Sequence, residues 1–319
     1  MAQPEREDIH LISSHSNLTA KAAQRSLQTF VFSSRQSWQK FLKLFFLTTG
    51  IGFTVAGVIF FFAYNWDALH KFVKIGIVEA LIVLPVLAVV FLKMNPLLKK
   101  ALLTGAAVLA GVLFAVFGQV YQTGANAYEL FINWAIGITI WAVVAGFAPL
   151  WLIWILLMNT GILLYRNYFG NTEGLTQLIL FLFNSGCLVI SLILPRFTKQ
   201  KTPIWFSIVL ATAAAYYGTA GLVYRSYDQY MATIPHLIFV LSVLALYAWI
   251  VVYSFNNRNI AFLAIIGMSI TFILCSYTLN GFRDMEGIFL TFLTIIICIT
   301  ALIILLVKLQ RQWTNEKNR

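Results

Sequence analysis

Polar and apolar positions do not alternate along this chain. They segregate into long blocks. From residue 44 onward, apolar runs of about 17–23 residues recur, the length needed to cross a hydrocarbon core roughly 30 Å thick. They occupy 44–64, 72–92, 101–118, 128–147 and 149–165, then 175–194, 204–224, 234–255, 260–280 and 287–307. Only Ala148 and Pro149 part the fourth run from the fifth, so this pair is expected as a tight hairpin or as a re-entrant pair. The pattern predicts an all-α, polytopic membrane helix bundle of about ten transmembrane helices. Its parts are a helical amino-terminal tail over 1–43, two five-helix halves over 44–165 and 166–307, and a basic tail over 308–319.

The tail has its own pattern. Ser16 or Asn17 is expected to cap a helix running through Leu18, Ala22, Leu27 and Phe30. Residues 35–43 mix Trp38 and Phe41 with basic side chains, a composition suited to the membrane surface ahead of the first span. The first forty residues hold no charged stretch followed by an apolar one, so no cleavable signal peptide is expected. Ala56–Asn65 (AGVIFFFAYN) aligns without gaps to Ala110–Gln119 (AGVLFAVFGQ), a faint internal repeat of the kind a duplicated helix pair leaves. Small residues at Gly50, Gly57, Gly105, Gly111, Ala211, Ala215 and Gly218 are expected to mark close helix packing. Pro85 is expected to kink the second helix or interrupt its hydrogen-bond ladder.

Composition supports the membrane reading. Of 319 residues, 60% are hydrophobic and 10% charged. Soluble domains are about 45–50% apolar and about 25% charged, and one protein core could not hide so much apolar surface. The net charge of +11 is spread over the connections rather than gathered in one patch, which argues against a nucleic-acid partner and for threading across a bilayer. With the amino terminus inside, only Lys71, Lys74, Arg166, Arg225 and Arg283 of the 22 basic residues fall outside. The positive-inside rule is thereby obeyed, and both termini are expected in the cytoplasm.

Two polar segments on the expected outer side stand out, Asn65–Phe72 (NWDALHKF) and Phe117–Trp134 (FGQVYQTGANAYELFINW). The candidate ligand-binding residues are Asn65, Asp67, Gln119, Tyr121, Gln122, Glu129 and Asn133, with His70, Asn126 and Tyr128 beside them. Amides and tyrosines at helix ends suit a neutral polar or cationic ligand; a hydrated loop in an aromatic belt gives the same pattern. Glu79 falls within the second apolar run, where an ionised carboxylate is costly and is expected to face a cavity or a partner from another helix. Asn133, Tyr217 and His236 are candidates for that partner, and Lys74 is expected to snorkel to the surface. Asn159 and Asn184, each mid-run, are expected to hydrogen-bond between helices.

No Walker, HExxH, GxSxG or GxGxxG motif is present. Cys187, Cys275 and Cys298 lie inside apolar runs without metal-ligand spacing, so they read as packing residues and no cofactor or metal is expected. The segment Ala63–Asp67 (AYNWD), Lys74 and then Phe117–Trp134 resembles a bacterial family of multi-spanning membrane proteins, domain of unknown function 2157, over the first half of the chain. The resemblance implies a bacterial inner-membrane location and brings no activity, catalytic residue or cofactor.

Three functions compete. A transporter or flippase would move a small polar or lipid-linked substrate through a cleft open to the outer face. A non-catalytic scaffold would bind another membrane protein or a second copy. An intramembrane enzyme would need Asp67, His70, Glu79 and Glu129 to converge. Beyond the lipid bilayer no partner is specified. Reporter fusions test the threading: the 93–100 and 196–201 connections should report from the same side as the amino terminus, and the opposite side for either would refute the topology.

Overall fold

The computed structural model describes Ile12 and residues 19–27, 35–64, 69–169, 173–197, 202–225, 233–281 and 285–318. Among these all regular structure is helical. The helices are α1 (Ala20–Ser26), α2 (Arg35–Tyr64), α3 (Lys71–Phe91), α4 (Pro96–Tyr121), α5 (Ala127–Ala145) and α6 (Ala148–Phe169), followed by α7 (Glu173–Phe197), α8 (Ile204–Arg225), α9 (Thr233–Asn257), α10 (Ile260–Gly281) and α11 (Met285–Asn318). Ten of them, α2 to α11, are long and apolar enough to cross a membrane. The all-helical, ten-span expectation holds.

Helix ends differ from the apolar runs where polar residues continue the helical backbone. Thr19 caps α1, its Oγ1 accepting from the Ala22 N–H at 3.3 Å; Ser16 and Asn17 lie outside the described residues. The stretch 35–43 is the first part of α2 and not a separate surface helix. With 30 residues, α2 is about 45 Å long, some 15 Å more than the hydrocarbon core. The last helix has 34 residues and is about 50 Å long, so the basic tail is helical through Asn318. Pro85 lies within α3, which runs on to Phe91.

The chain divides into two compact units, Met1–Leu113 and Phe114–Arg319. In the first, α3 buries the stripe Lys74, Val78 and Ile82, spaced four residues apart and so on one face. Gly105 of α4 faces Ile51 of α2: a methyl added there would lie 3.1 Å from Ile51 Cγ2. These two positions stand at the spacing that relates Ala56 to Ala110, so the close approach joins equivalent positions of the repeat. Gly50 and Gly57, by contrast, have nothing within 4 Å of an added methyl. Their small size serves no helix contact within the described chain.

The second unit is built from helices packed on their neighbours. The α5–α6 junction is sharp. Gly146 ends α5 in the left-handed region (φ 50°, ψ 44°), where glycine carries no Cβ penalty. Phe147 then accepts from the Leu150 and Trp151 N–H groups at 3.0 and 3.1 Å. Pro149 falls in the first turn of α6, where the missing donor costs nothing. The two helices form an antiparallel hairpin. Tyr128 meets Tyr165, Ile132 meets Gly161, and Trp154 Nε1 donates to Thr139 Oγ1 at 2.9 Å. Each pair is equidistant from the Gly146–Phe147 junction. Both helices are long enough to span, which favours the hairpin over a re-entrant pair. The α10–α11 pair repeats this logic: Thr278 bonds Thr291 at 3.3 Å, and Gly267 fits under Leu302.

Between the hairpins, α6 to α10 share one core. Phe181, Leu188, Leu210, Ala211, Phe239, Val243, Phe262 and Ile266 are buried within it. Phe181 and Phe239 pack edge to face, their centroids 5.6 Å apart. Small residues permit this. A methyl on Gly218 would lie 3.1 Å from Phe181, and one on Gly221 only 2.1 Å from Phe239 Cε1. In lipid, where apolar burial gives no driving force between helices, such dispersion contacts and interhelical hydrogen bonds hold the bundle. Polar rungs cross the core. Asn184 Nδ2 donates to Asn159 Oδ1 at 2.7 Å and Asn159 Nδ2 to Asn184 Oδ1 at 3.3 Å. Each amide also donates to a carbonyl of its own helix, Leu180 or Ile155, at 2.8 Å. Ser191 and Ser207 share a hydrogen bond of 3.1 Å. Ser269 joins Thr219 to Tyr247, linking α8, α9 and α10. The interhelical role expected for Asn159 and Asn184 is observed. The three cysteines are half-buried free thiols.

The two kinds of glycine make a paired prediction. Gly221→Ala should lower stability by about 1–3 kcal/mol, the cost of overpacking. Gly50→Ala should leave it unchanged or raise it by up to about 1 kcal/mol through helix propensity. Thermal unfolding of the full chain in mild detergent, followed by circular dichroism, distinguishes them, and equal effects would contradict the packing described.

Candidate functional site

Asn65 and Asp67 lie outside the described residues. At the start of α3 the His70 carbonyl accepts from the Val73 and Lys74 N–H groups at 2.9 and 3.1 Å. The His70 ring lies 5.5 Å from that of Phe72, and Lys71 Nζ sits 5.3 Å from the Phe72 centroid. This is an interfacial arrangement, with cations and aromatics where the helix enters.

Further along α3 the two charged residues sit opposite to expectation. Lys74 is only 8% exposed and belongs to the inward stripe. Glu79 is exposed. The reason is helical phase: Lys74, Val78 and Ile82 share a face, and Glu79 is five residues beyond Lys74, about 140° around the axis. The outward stripe reads Phe72, Gly76, Glu79, Val83, Leu87 and Val90, all exposed. Nothing lies within 4 Å of a methyl added at Gly76. Glu79 therefore stands on an apolar face with a small residue one turn away, about 12 Å along the helix from its start. It makes no hydrogen bond or ion pair with any described residue. His70, nine residues earlier, is about 13 Å away along the axis and on the opposite side, so these two do not form an acid–base pair.

In the second unit, the segment between α4 and α5 is held by backbone geometry. Gln122 and Gly124 adopt positive φ, 45° and 64°. The Thr123 N–H donates to the Gly118 carbonyl at 3.3 Å, closing the end of α4. The Tyr121 ring packs on Phe117 at 4.6 Å. Gln119, Tyr121, Gln122 and Asn133 are exposed, and no hydrogen bond joins them to one another. Glu129 is half-buried and occupied structurally: its carboxylate accepts from the Asn126 N–H and from Asn126 Nδ2, both at 3.3 Å. A carboxylate three residues past the cap satisfies a donor that the helix leaves open and complements the positive end of its dipole. Tyr128 packs against Tyr165 and Tyr168, centroids 5.3 and 5.6 Å apart. His236 is half-buried in the first turn of α9, and Tyr217 half-buried on α8.

The candidates thus sort into three situations. Glu79 lies on an exposed, otherwise apolar face of α3. Gln119, Tyr121 and Gln122 are exposed at the end of α4, and Asn133 is exposed within α5. Glu129 caps a helix. Sequence reasoning did not single out Gln177, whose Oε1 is buried with no hydrogen-bond partner among the described residues. Its signal was present: Gln177, Asn184 and Ser191 recur at seven-residue intervals, so α7 presents one polar stripe to the core. Among the described residues no three His, Cys, Asp or Glu side chains gather to hold a metal ion.

Helices α1 to α5, with the two polar segments between them, are the part of the chain that a family model covers. Residues 14–151 match the model of the family described as Predicted membrane protein (DUF2157). The match begins ahead of α1 and ends in the first turn of α6. It therefore takes in α3 with Glu79 and the whole α4–α5 segment, while the polar-runged core from α7 onward stands beyond it. No curated protein and no solved structure matches the chain. The family description agrees with the ten apolar helices: this is a membrane protein.

Proposed function

We propose that this protein is a membrane-embedded assembly partner whose α3 face docks a helix of another membrane protein. The observation that carries the reading is Glu79, a carboxyl group exposed on an otherwise apolar helix face within a span. Against lipid alone an ionised carboxylate there costs roughly 2.5 kcal/mol or more. A donor on a docked helix removes that cost, and the open Gly76 one turn away lets the helix approach closely. The bacterial inner membrane, with both termini in the cytoplasm, is the location supported by the distribution of basic residues and by the family resemblance.

A second reading, transport or flipping of a small polar or lipid-linked substrate, draws on a different observation. The exposed Gln119, Tyr121 and Gln122 border a segment with two positive-φ residues, and Asn133 is exposed on the helix that follows. Proteoliposomes with and without the protein would give identical uptake and lipid-flipping traces if that reading is wrong.

For the assembly reading, the particle mass of the full chain extracted from its own membrane in mild detergent is the measurement. Wild type should run as a complex larger than one chain. Glu79→Leu should shift it to the mass of a single chain, and Glu79→Gln, which keeps a hydrogen-bonding group, should retain the complex in part. A wild-type particle of one chain, or a Glu79→Leu particle of unchanged mass, refutes the reading.

A further inference from the structure

The open end of the α5–α6 hairpin, opposite the Gly146–Phe147 junction, gathers three tyrosines from two helices. Tyr128 is the second residue of α5, and Tyr165 and Tyr168 lie near the end of α6. Three residues apart, the latter two share a side of α6. That side meets α5 again one turn away, where Gly161 faces Ile132. The Tyr128 and Tyr165 rings are perpendicular, at 89°, with centroids 5.3 Å apart. Tyr168 stands on the other side of the group, 5.6 Å from Tyr128 and inclined to it by 46°.

The group is open to its surroundings. Tyr165 is 39% exposed and Tyr168 59% exposed, while Tyr128 is half-buried. Two perpendicular rings at this separation make a corner in which a cation can lie within about 6 Å of both centroids, the range of cation–π attraction. A carboxylate borders the corner. Glu129 stands beside the Tyr128 hydroxyl. A carboxylate has about four acceptor positions, and Asn126 occupies two of those on Glu129. Arg166, the basic residue in the last turn of α6, lies about 100° around the helix from Tyr165 and about 160° from Tyr168. It therefore leaves α6 on a different side from the rings.

We infer that this corner binds an alkylated ammonium group, held against the rings of Tyr128, Tyr165 and Tyr168 with Glu129 as its counter-charge. Methyl groups on the nitrogen pack on ring faces and spread the charge, which suits aromatic walls. A hard metal ion would need a cage of oxygen ligands instead. The same chemistry is offered by a soluble cation such as choline and by the headgroup of phosphatidylcholine. The site uses no residue of the α3 face and stands whether or not that face docks a helix.

The test is saturation-transfer nuclear magnetic resonance on the full chain in an uncharged maltoside detergent, with choline and its neutral isostere 3,3-dimethylbutan-1-ol as probes. Choline should bind at least about fivefold more tightly than the isostere, the effect of exposed cation–π contacts acting together. Tyr168→Leu and Tyr165→Leu should each bring the two probes close to equality, with helical content unchanged by circular dichroism. Tyr168→Phe keeps the ring and should retain the preference. Tyr64→Leu, which alters a 90% exposed tyrosine at the end of α2, should leave it unchanged. Glu129→Gln preserves a capping side chain and should weaken choline by at least about twofold without affecting the isostere. Short-chain phosphatidylcholine set against short-chain phosphatidylglycerol separates the sources: selective displacement of choline makes a lipid headgroup the occupant, and no displacement makes it a soluble cation. The inference is overturned if wild type binds choline and the isostere equally, if the preference survives both leucine variants, if it is lost with Tyr168→Phe or falls equally with Tyr64→Leu, or if Glu129→Gln binds choline as wild type does.

Discussion

A polar group in hydrocarbon has no water to turn to. It must be bonded within its own helix, bonded to a neighbouring helix, or left facing something outside the chain. The asparagine, serine and threonine pairs of the second unit follow the first two routes, while Gln177 Oε1 and Ser185 Oγ are buried with no hydrogen-bond partner among the described residues. Asn159 and Asn184 each lie eleven residues into consecutive antiparallel helices, about 17 Å from their starts, and so near mid-depth. Each amide uses one donor on its own helix and one on its partner. Serine and threonine hydroxyls repeat the device at Ser191–Ser207 and at Ser269. Because these pairings are directional, they fix the rotation and register of α6 to α10 in a way that Leu against Leu cannot.

The first unit uses the third route. Its inward stripe on α3 is short, and Glu79 is turned outward on a face with open Gly76. The start of α2 carries Arg35, Lys40 and Lys43 beside an aromatic ridge of Trp38, Phe41 and Phe45. Both features are exposed on the described chain.

How much of this was legible in the sequence follows from what hydropathy measures. It reports that a segment dissolves in lipid, so all ten spans could be read from run length alone. It does not report rotation about the helix axis. Lys74 and Glu79 illustrate the difference: both were placed in α3 correctly, but which of them faces inward depends on the stripe that packs, and only neighbouring helices decide that. Hydropathy also stops where polar residues begin, although the backbone helix does not; hence α2 starts at Arg35 and α11 ends at Asn318. Asn159 and Asn184 were legible because a mid-span amide has few alternatives. Glu129 was not, since its cap depends on Asn126 ending a turn whose geometry rests on Gln122 and Gly124. Asn65 and Asp67 lie outside the described residues, and their role stays with the sequence reading.

The central claim is that reciprocal polar pairing in a lipid environment, rather than apolar burial, specifies the core of the second unit. A double-mutant cycle on Asn159 and Asn184 in bilayer nanodiscs tests it most directly. Asn159→Leu and Asn184→Leu should each destabilise by about 1–3 kcal/mol, because each strands the other amide. The double substitution should cost less than the two together by about 1–2 kcal/mol, at the upper end for hydrogen bonds between membrane helices. Strict additivity of the two single effects would contradict the account.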